Sequence, residues 1–189
     1  MSGSDPPPER PETHFLVRFV ATGFLSGYAP WASGTVGSAV GLLLFLIPGA
    51  WDTRVLIPLI GCGFLAGVYT SGLVAREEGH RLTKTAAAAK ALFQGGEAPH
   101  PDPSIVVIDE IVGMWIALAG IAPGIPAVVG AFILFRVFDI LKPEPAVSLE
   151  RLGGGWGIML DDVVAGIYAN ACTRALLFII PLLRGGGMS

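Results

Sequence analysis

The stretch VLIPLIGCGFLAGVYTSGLVA, Val55–Ala75, decides the fold class of this 189-residue chain. Its 21 residues (55 to 75) include no charged side chain. A helix of about 20 apolar residues is what the hydrocarbon core of a bilayer, about 30 Å thick, requires. The stretch therefore predicts a helix that crosses a membrane.

The composition of the whole chain agrees with this prediction. The sequence is 52% hydrophobic and 14% charged, with a mean hydropathy of +0.66, whereas soluble domains are about 25% charged. This hydrophobicity excludes disorder for most of the chain. With 12 Lys and Arg against 15 Asp and Glu, the chain lacks the basic excess of a nucleic-acid-binding protein. Cys62 and Cys172 lie in apolar runs, which excludes a disulfide scaffold.

Four further apolar runs precede or follow Val55–Ala75 in the sequence, and several contain a few charged residues. They are Val36–Ala50, Ile105–Ile121, Ile125–Leu141 and Val163–Leu183. The shorter run Phe15–Leu25 contains Arg18 and is expected to form an interfacial or re-entrant helix. We therefore predict an all-α, polytopic membrane protein with about four to five membrane segments.

The polar residues predict one domain between two tails. Residues 1–14 are polar and Pro-rich and predict a disordered tail, with no secretory signal evident. Residues 15–184 form the predicted membrane-embedded domain, and residues 185–189 a second tail. A polar loop at 76–104 interrupts the domain and contains an Ala-rich helical piece, Thr85–Phe93.

The Lys and Arg residues of the connecting segments predict the orientation. Eight fall on one side of the membrane: Arg10, Arg18, Arg76, Arg81, Lys84, Lys90, Lys142 and Arg151. Arg54 and Arg184 fall on the other side. Because cytoplasmic segments are enriched in Lys and Arg, the larger group and the N-terminus are expected in the cytoplasm.

Four polar clusters, far apart in sequence, are expected at this same cytoplasmic end of the membrane segments. They contain Thr35 and Ser38, then Asp109 and Glu110, then Arg136, Asp139 and Lys142, and finally Asp161 and Asp162. Acids beside a bilayer are costly unless they bind a metal or pair with cations. The simpler interpretation is ordinary interfacial charge, with Arg136 paired to Asp139 three residues later.

The residue types in these clusters indicate phosphoryl chemistry. Carboxylate oxygens without cysteine or histidine suit Mg²⁺ rather than Zn²⁺, and Arg136 and Lys142 suit a phosphate. The glycines of GGGWGIMLDD predict a flexible loop that leads into Asp161 and Asp162 at a helix start, where the helix dipole favours acids.

Four stretches together resemble the phosphatidylglycerophosphatase A family. They are YAPWASGTVGS, DPSIVVIDEIVGMW, FRVFDILKPEP and GGGWGIMLDDVVAG, in the family's order. The resemblance implies Mg²⁺-dependent hydrolysis of phosphatidylglycerophosphate to phosphatidylglycerol and inorganic phosphate, a step of phospholipid biosynthesis. It also implies a multi-pass protein of the bacterial inner membrane with a cytoplasmic site. The residues matched by motif are Thr35, Asp109, Glu110, Arg136, Asp139, Lys142, Asp161 and Asp162.

The expected mechanism divides these residues into two groups. The five acids include the Mg²⁺ ligands and a general base, and Arg136 and Lys142 hold the phosphate. Thr35 and Ser38 donate hydrogen bonds to phosphate or to a metal-bound water. Direct attack by water is preferred over a covalent aspartyl-phosphate.

Two other functions stay open at this point. One is a transporter or channel with acids at its cytoplasmic mouth, which predicts polar residues throughout the spans. The other is a transferase acting on CDP-activated lipids, whose D-G-x2-A-R motif is absent from the sequence. The sequence gives no indication of the oligomeric state.

Overall fold

The computed structural model describes residues 14–28, 32–92 and 105–185, with side chains at 14–28, 32–77, 105–149 and 151–180. Most of the predicted tails 1–14 and 185–189, namely residues 1–13 and 186–189, lies outside the described residues, as do residues 29–31 and residues 93–104 of the predicted polar loop. Within these ranges the regular structure is helical, which confirms the all-α class. The helices are α1 Phe15–Ala21, a 3₁₀ turn Ser26–Tyr28, α2 Ser33–Phe45, α3 Thr53–Leu92, α4 Ile108–Leu118, α5 Ile125–Leu141, α6 Ala146–Glu150 and α7 Gly154–Gly185.

Two of these helices contain a segment long and apolar enough to cross a bilayer, Thr53–Glu77 in α3 and Gly154–Ile180 in α7. The prediction of four to five membrane segments is not confirmed. Helices α2, α4 and α5 have 13, 11 and 17 residues. At 1.5 Å per residue they measure about 20, 17 and 26 Å, less than the roughly 30 Å of the hydrocarbon core. Turns rich in Gly and Pro separate α2 from α3 and α4 from α5.

Helix α3 is longer than the sequence predicted. It continues through Arg76 to Leu92, so the first part of the predicted polar loop is helical, and the Ala-rich piece belongs to the same 40-residue helix. Ala, Glu, Lys and Arg are strong helix formers, and the single Gly79 in this region does not interrupt the helix.

Helix α7 begins earlier than predicted, at Gly154, and the prediction of a flexible glycine loop before Asp161 and Asp162 is wrong. The two acids lie about two turns inside the helix, so the helix dipole does not explain them. Close packing explains Gly155, because a Cβ there would lie 1.8 Å from the backbone oxygen of Val68 in α3, and a positive φ explains Gly153 and Gly154. Tertiary contact here overrides the low helix propensity of glycine.

Helix α4 lies at the centre of the fold, in contact with α2, α3, α5 and α7. Its buried residues join two apolar clusters. One cluster includes Phe45, Leu56, Met114, Leu118 and Phe135, and the other includes Val74, Val106, Val112 and Met159. This packing fixes the N-terminal end of α4, where Asp109 and Glu110 lie.

Two side chains of α7 bind the C-terminal end of α4. Asn170 donates from Nδ2 to the backbone oxygens of Ile116, Ala117 and Ala119, at 3.2, 3.0 and 3.0 Å. Arg174 donates from Nη2 to Ala119 O at 2.7 Å and from Nε to Asn170 Oδ1 at 2.8 Å. These bonds satisfy carbonyls that a helix end leaves without partners, which gives Arg174 a structural role.

Candidate active site

Three of the predicted acids form a compact group. Each of Asp109, Glu110 and Asp162 offers a carboxylate oxygen, and these oxygens lie within 4.8 Å of one another. Asp162 is buried, and the other two are half-buried. The structure thus brings together acids that are more than 50 residues apart in the chain.

Two glycines explain how α4 and α7 approach closely enough to form this group. A Cβ on Gly166 of α7 would lie 2.5 Å from the backbone oxygen of Gly113 in α4. A Cβ on Gly113 would lie 2.9 Å from the backbone oxygen of Asp162 and 2.6 Å from the Phe135 ring. Each glycine follows its acid, Asp109 or Asp162, by one helical turn. The contact between the two backbones therefore sets the separation of the acids.

The electrostatics of the group favour a bound cation. Asp109 interacts unfavourably with the charges of Glu110 and Asp162, and burial adds a desolvation cost. Glu110 Oε2 and Asp162 Oδ2 are buried and accept no hydrogen bond from the described residues. Buried polar atoms are normally satisfied. Several carboxylate oxygens with free lone pairs are the donor set that Mg²⁺ prefers, so these residues fit a divalent cation.

Arg136 and Asp139 of α5 lie next to the three acids. Arg136 Nη1 is 2.7 Å from Asp139 Oδ2, so the ion pair that the simpler interpretation anticipated does form. Yet this pair is part of the site, because the charge of Asp139 also acts on Glu110 and Asp162. The pair therefore joins α5 to the acids of α4 and α7.

The serine and threonine of the first motif have different environments. Ser38 is buried; its hydroxyl donates to Gly34 O at 2.8 Å and accepts from Arg136 Nη1 at 3.4 Å. Thr35 is exposed in the first turn of α2. The structure thus places Ser38 in contact with Arg136, a predicted phosphate-binding residue, and leaves Thr35 at the surface.

Lys142 and Asp161 form a second pair. Lys142 Nζ donates to Asp161 Oδ2 at 2.9 Å, while Asp161 Oδ1 accepts from the backbone N–H of Asp162. Helix α5 ends at Leu141, and Lys142 follows in the left-handed region at φ 43°. Among the described residues, Asp161 is not one of the three grouped acids. The five acids therefore divide into three grouped residues and two, Asp139 and Asp161, that pair with cations.

Gly34 also lies at the site, although it is not among the residues predicted from the sequence. A Cβ at this position would lie 2.6 Å from Glu110 Oε1 and 3.1 Å from Arg136 Nη1. The backbone of α2 thus contacts an acid of α4 and the cation of α5. The sequence signal was a glycine directly before Thr35, which local turn preference also explains.

The chain is similar to known proteins over most of its length. The family model described as phosphatidylglycerophosphatase A matches residues 82–177, a range that includes the five acids and both cations. A Haemophilus influenzae phosphatidylglycerophosphatase A is 34% identical over 86% of this chain and 89% of its own length. The Escherichia coli phosphatidylglycerophosphatase A is 32% identical over 78% of this chain and 76% of its own length.

A third relative has a different description. A Bacteroides thetaiotaomicron protein, described as a candidate phosphatidylinositol-3-phosphatase, is 36% identical over 82% of this chain and 89% of its own length. No solved structure matches the chain.

Proposed function

Since the chain belongs to the phosphatidylglycerophosphatase A family, we propose that it hydrolyses phosphatidylglycerophosphate to phosphatidylglycerol and inorganic phosphate. One observation supports this proposal most strongly. Three grouped acids, two of them with a buried oxygen that accepts no hydrogen bond from the described residues, lie directly beside a paired arginine. A metal-assisted hydrolase of phosphate monoesters uses both, a place for a divalent cation and a donor for the phosphoryl oxygens.

Asp109, Glu110 and Asp162 would hold Mg²⁺, and Glu110 Oε2 and Asp162 Oδ2 accept no hydrogen bond from the described residues that would compete with it. Once bound, the ion supplies Lewis acidity at a phosphoryl oxygen and lowers the pKa of water. It would also offset the repulsion among the three carboxylates. The family's Mg²⁺ chemistry therefore fits this site.

Arg136 binds and orients the phosphate. Its pairing with Asp139 and its contact with Ser38 fix the plane of the guanidinium, which presents paired N–H donors to phosphoryl oxygens. Lys142, held next to the acids by Asp161, adds a second positive charge on the same side. Both cations stabilise the charge of the transferred phosphoryl group.

Direct attack by water completes the reaction. A new P–O bond forms from water, the ester P–O bond breaks, and the lipid oxygen leaves as a hydroxyl by taking up the proton that the attacking water loses. A carboxylate of the acid group accepts the proton from the attacking water. The stereochemical course at a phosphorus made chiral by isotopic labelling tests this route, because direct attack by water inverts the configuration, whereas two displacements through an aspartyl-phosphate retain it.

We further propose that the enzyme spans the bacterial inner membrane with the site at the cytoplasmic end. Helices α3 and α7 are long enough to cross. The shorter α5 exposes an apolar stripe that suits contact with lipid: Ile125, Val129, Ile133, Val137 and Ile140. Arg76 lies towards the site end of α3 and Arg151 towards that of α7, whereas Arg54 lies at the other end of α3. This distribution agrees with the enrichment of Lys and Arg in cytoplasmic segments.

The decisive experiment measures phosphate release by the purified full chain in detergent. The substrates are phosphatidylglycerophosphate, phosphatidate, phosphatidylinositol 3-phosphate and glycerol 3-phosphate, each with Mg²⁺ and with EDTA. We expect Mg²⁺-dependent release, fastest from phosphatidylglycerophosphate. An Asp162→Asn variant should lose at least about 10²-fold in rate, whereas Asp52→Asn, at an exposed turn, should match the wild type.

Each of the other outcomes has a definite meaning. Faster release from phosphatidylinositol 3-phosphate would replace phosphatidylglycerophosphate as the assigned substrate and would match the name of the Bacteroides relative. Release in EDTA at the full rate would overturn the metal assignment. An absence of release from all four esters would overturn the phosphatase proposal and favour the transporter alternative.

A further inference from the structure

The segment from His14 to Tyr28 has an apolar surface that the proposed reaction does not use. Five large side chains of α1 and the turn after it are 43–72% exposed: Phe15, Leu16, Phe24, Leu25 and Tyr28. The one Lys or Arg of the segment, Arg18, is directed inward, where it pairs with Glu77 of α3. A surface in contact with water normally shows the reverse arrangement, with charges outside and large apolar groups inside.

The pair of Arg18 and Glu77 fixes the height of α1 along α3. Glu77 follows the uncharged stretch Val55–Ala75 of α3 directly after Arg76, where the apolar run ends. Burial lowers the pKa of Arg18, but hydrogen bonds to Tyr28 and Glu77 and the charge of Glu77 raise it by more, so Arg18 stays charged. Helix α1 is therefore held where α3 leaves the bilayer, at the level of the headgroups.

The turn after α1 is suited to an apolar environment. Residues Gly23, Phe24 and Leu25 have φ of 50°, 58° and 70°, a left-handed conformation that is unfavourable for large L side chains. The backbone N–H groups of Phe24 and Leu25 are nevertheless bonded, to Phe19 O at 2.9 Å and to Thr22 Oγ1 at 3.2 Å. Such internal bonding is what entry into an apolar phase demands, because water is no longer there as a partner.

The turn and the end of α1 contact the N-terminal end of α4, where Asp109 and Glu110 lie. The N–H of Val107, two residues before Asp109, donates to Ala21 O at 3.0 Å. A Cβ on Gly23 would lie 2.8 Å from Val107 and 2.7 Å from Ile111. The exposed apolar surface is therefore next to the N-terminal end of α4, at the site end of the molecule.

We propose that residues 14–28 form an interfacial surface that enters the boundary between headgroups and acyl chains of the leaflet that presents the substrate. The lipid, and not a second copy of the chain, is the favoured occupant, because the segment is fixed at the level where α3 leaves its apolar stretch and its outward face contains no Lys, Arg, Asp or Glu. The choice of substrate rests on the proposed function, but contact with the bilayer does not.

A labelling experiment tests the contact without measuring activity. In a Cys62→Ala, Cys172→Ala background, Leu25→Cys is labelled with the fluorophore NBD, and the full chain is placed in phosphatidylethanolamine–phosphatidylglycerol vesicles. We expect blue-shifted emission that is quenched by lipids spin-labelled near the headgroup. The matched control, Ser148→Cys in the exposed part of α6, should show water-like emission that iodide quenches.

Both contrary results of this experiment overturn the proposal. Emission from residue 25 that is water-like and quenched by iodide would show that the segment lies in the aqueous phase. Blue-shifted emission that neither iodide nor spin-labelled lipid quenches would show that protein, such as a second copy of the chain, covers the segment. Either result leaves the phosphatase assignment unaffected.

A kinetic experiment tests the consequence for the substrate. Asn adopts the left-handed conformation more readily than Phe or Leu, so the double variant Phe24→Asn, Leu25→Asn should fold while it loses the apolar surface. We expect KM for long-chain phosphatidylglycerophosphate in mixed micelles to rise about tenfold. The rate with a monomeric short-chain analogue should stay within about twofold of wild type, and Phe24→Leu should resemble the wild type with both substrates.

Two results of the kinetic experiment would refute this consequence. Equal losses with the long-chain and short-chain substrates would mean that the segment acts through the fold of the site. Unchanged KM for the long-chain lipid would mean that the segment does not contribute to capture of the substrate. Phosphate release by the wild type in the same assay separates either result from a failure of the proposed function.

Discussion

Replacing Gly34 with Ala should reduce activity while it leaves the stability of the fold unchanged or higher. The added Cβ would lie 2.6 Å from Glu110 Oε1 and 3.1–3.2 Å from the Arg136 Nη atoms. These atoms are the ends of flexible side chains, so α2 itself does not have to move. Glu110 and Arg136 must move instead, and both belong to the proposed site.

The size of the displacement follows from the contact distances. Ordinary van der Waals contact begins at 3.4 Å, so Glu110 Oε1 must retreat by about 0.8 Å (3.4 minus 2.6). A misplacement of about 1 Å at a reacting centre can lower the rate about 10²-fold. Replacing Gly by Ala in a helix meanwhile adds up to about 1 kcal/mol of stability. Activity and stability should therefore change in opposite directions.

The assay compares kcat, KM and the Mg²⁺ dependence of Gly34→Ala with those of Gly61→Ala. Gly61 is a matched control, because it is also helical and a Cβ there would meet nothing within 4 Å. We expect kcat of Gly34→Ala to fall between about 10-fold and 10²-fold, with a thermal midpoint at or above that of the wild type. Full activity in Gly34→Ala, with Mg²⁺ dependence unchanged, would refute the assignment of Glu110 and Arg136 to the reacting centre.

Three further substitutions test other parts of the structure. Asp109→Asn should lower kcat at least about 10²-fold and raise the Mg²⁺ concentration needed for half-maximal rate, as a metal titration would show; an unchanged titration would contradict its role as a ligand. Arg136→Lys should raise KM about tenfold, because the amine cannot reproduce the planar pair of donors, and steady-state kinetics that match the wild type would argue against a phosphate contact. Arg174→Ala should cost about 1 kcal/mol of unfolding free energy through the lost hydrogen bonds to α4, with kcat unchanged in the folded protein; a loss of kcat at unchanged stability would instead place Arg174 in the reaction.

The arrangement of the site residues was largely predictable because charges are scarce in this sequence. In a chain with 14% charged residues, acids inside apolar runs need a reason, and their positions at the ends of predicted helices placed them at one depth. The close group of Asp109, Glu110 and Asp162 agrees with that reasoning. The pairing of Asp161 with Lys142 depends on side-chain geometry at a helix end, which periodicity does not reveal.

The boundaries of the helices were harder to predict, and packing is the reason. Glycines before Asp161 indicated a loop by their propensity, but the contact of Gly155 with Val68 of α3 stabilises a helix from Gly154. The role of Gly34 was not predicted for the same reason, because the residues that it contacts lie in α4 and α5. Contacts between distant segments determine such positions, and a single sequence does not show them.

The glycine contact between α4 and α7 has a mechanical consequence. Gly113 and Gly166 act as a pivot, and Asp109 and Asp162 lie one turn, about 5.4 Å, from it. With so short a lever arm, a change of about 10° in the crossing angle moves the two acids apart by only about 1 Å. Helices adjust their tilt when bilayer thickness changes. A site built close to its pivot would keep its shape in membranes of different thickness, whereas one at the far ends of the helices would not.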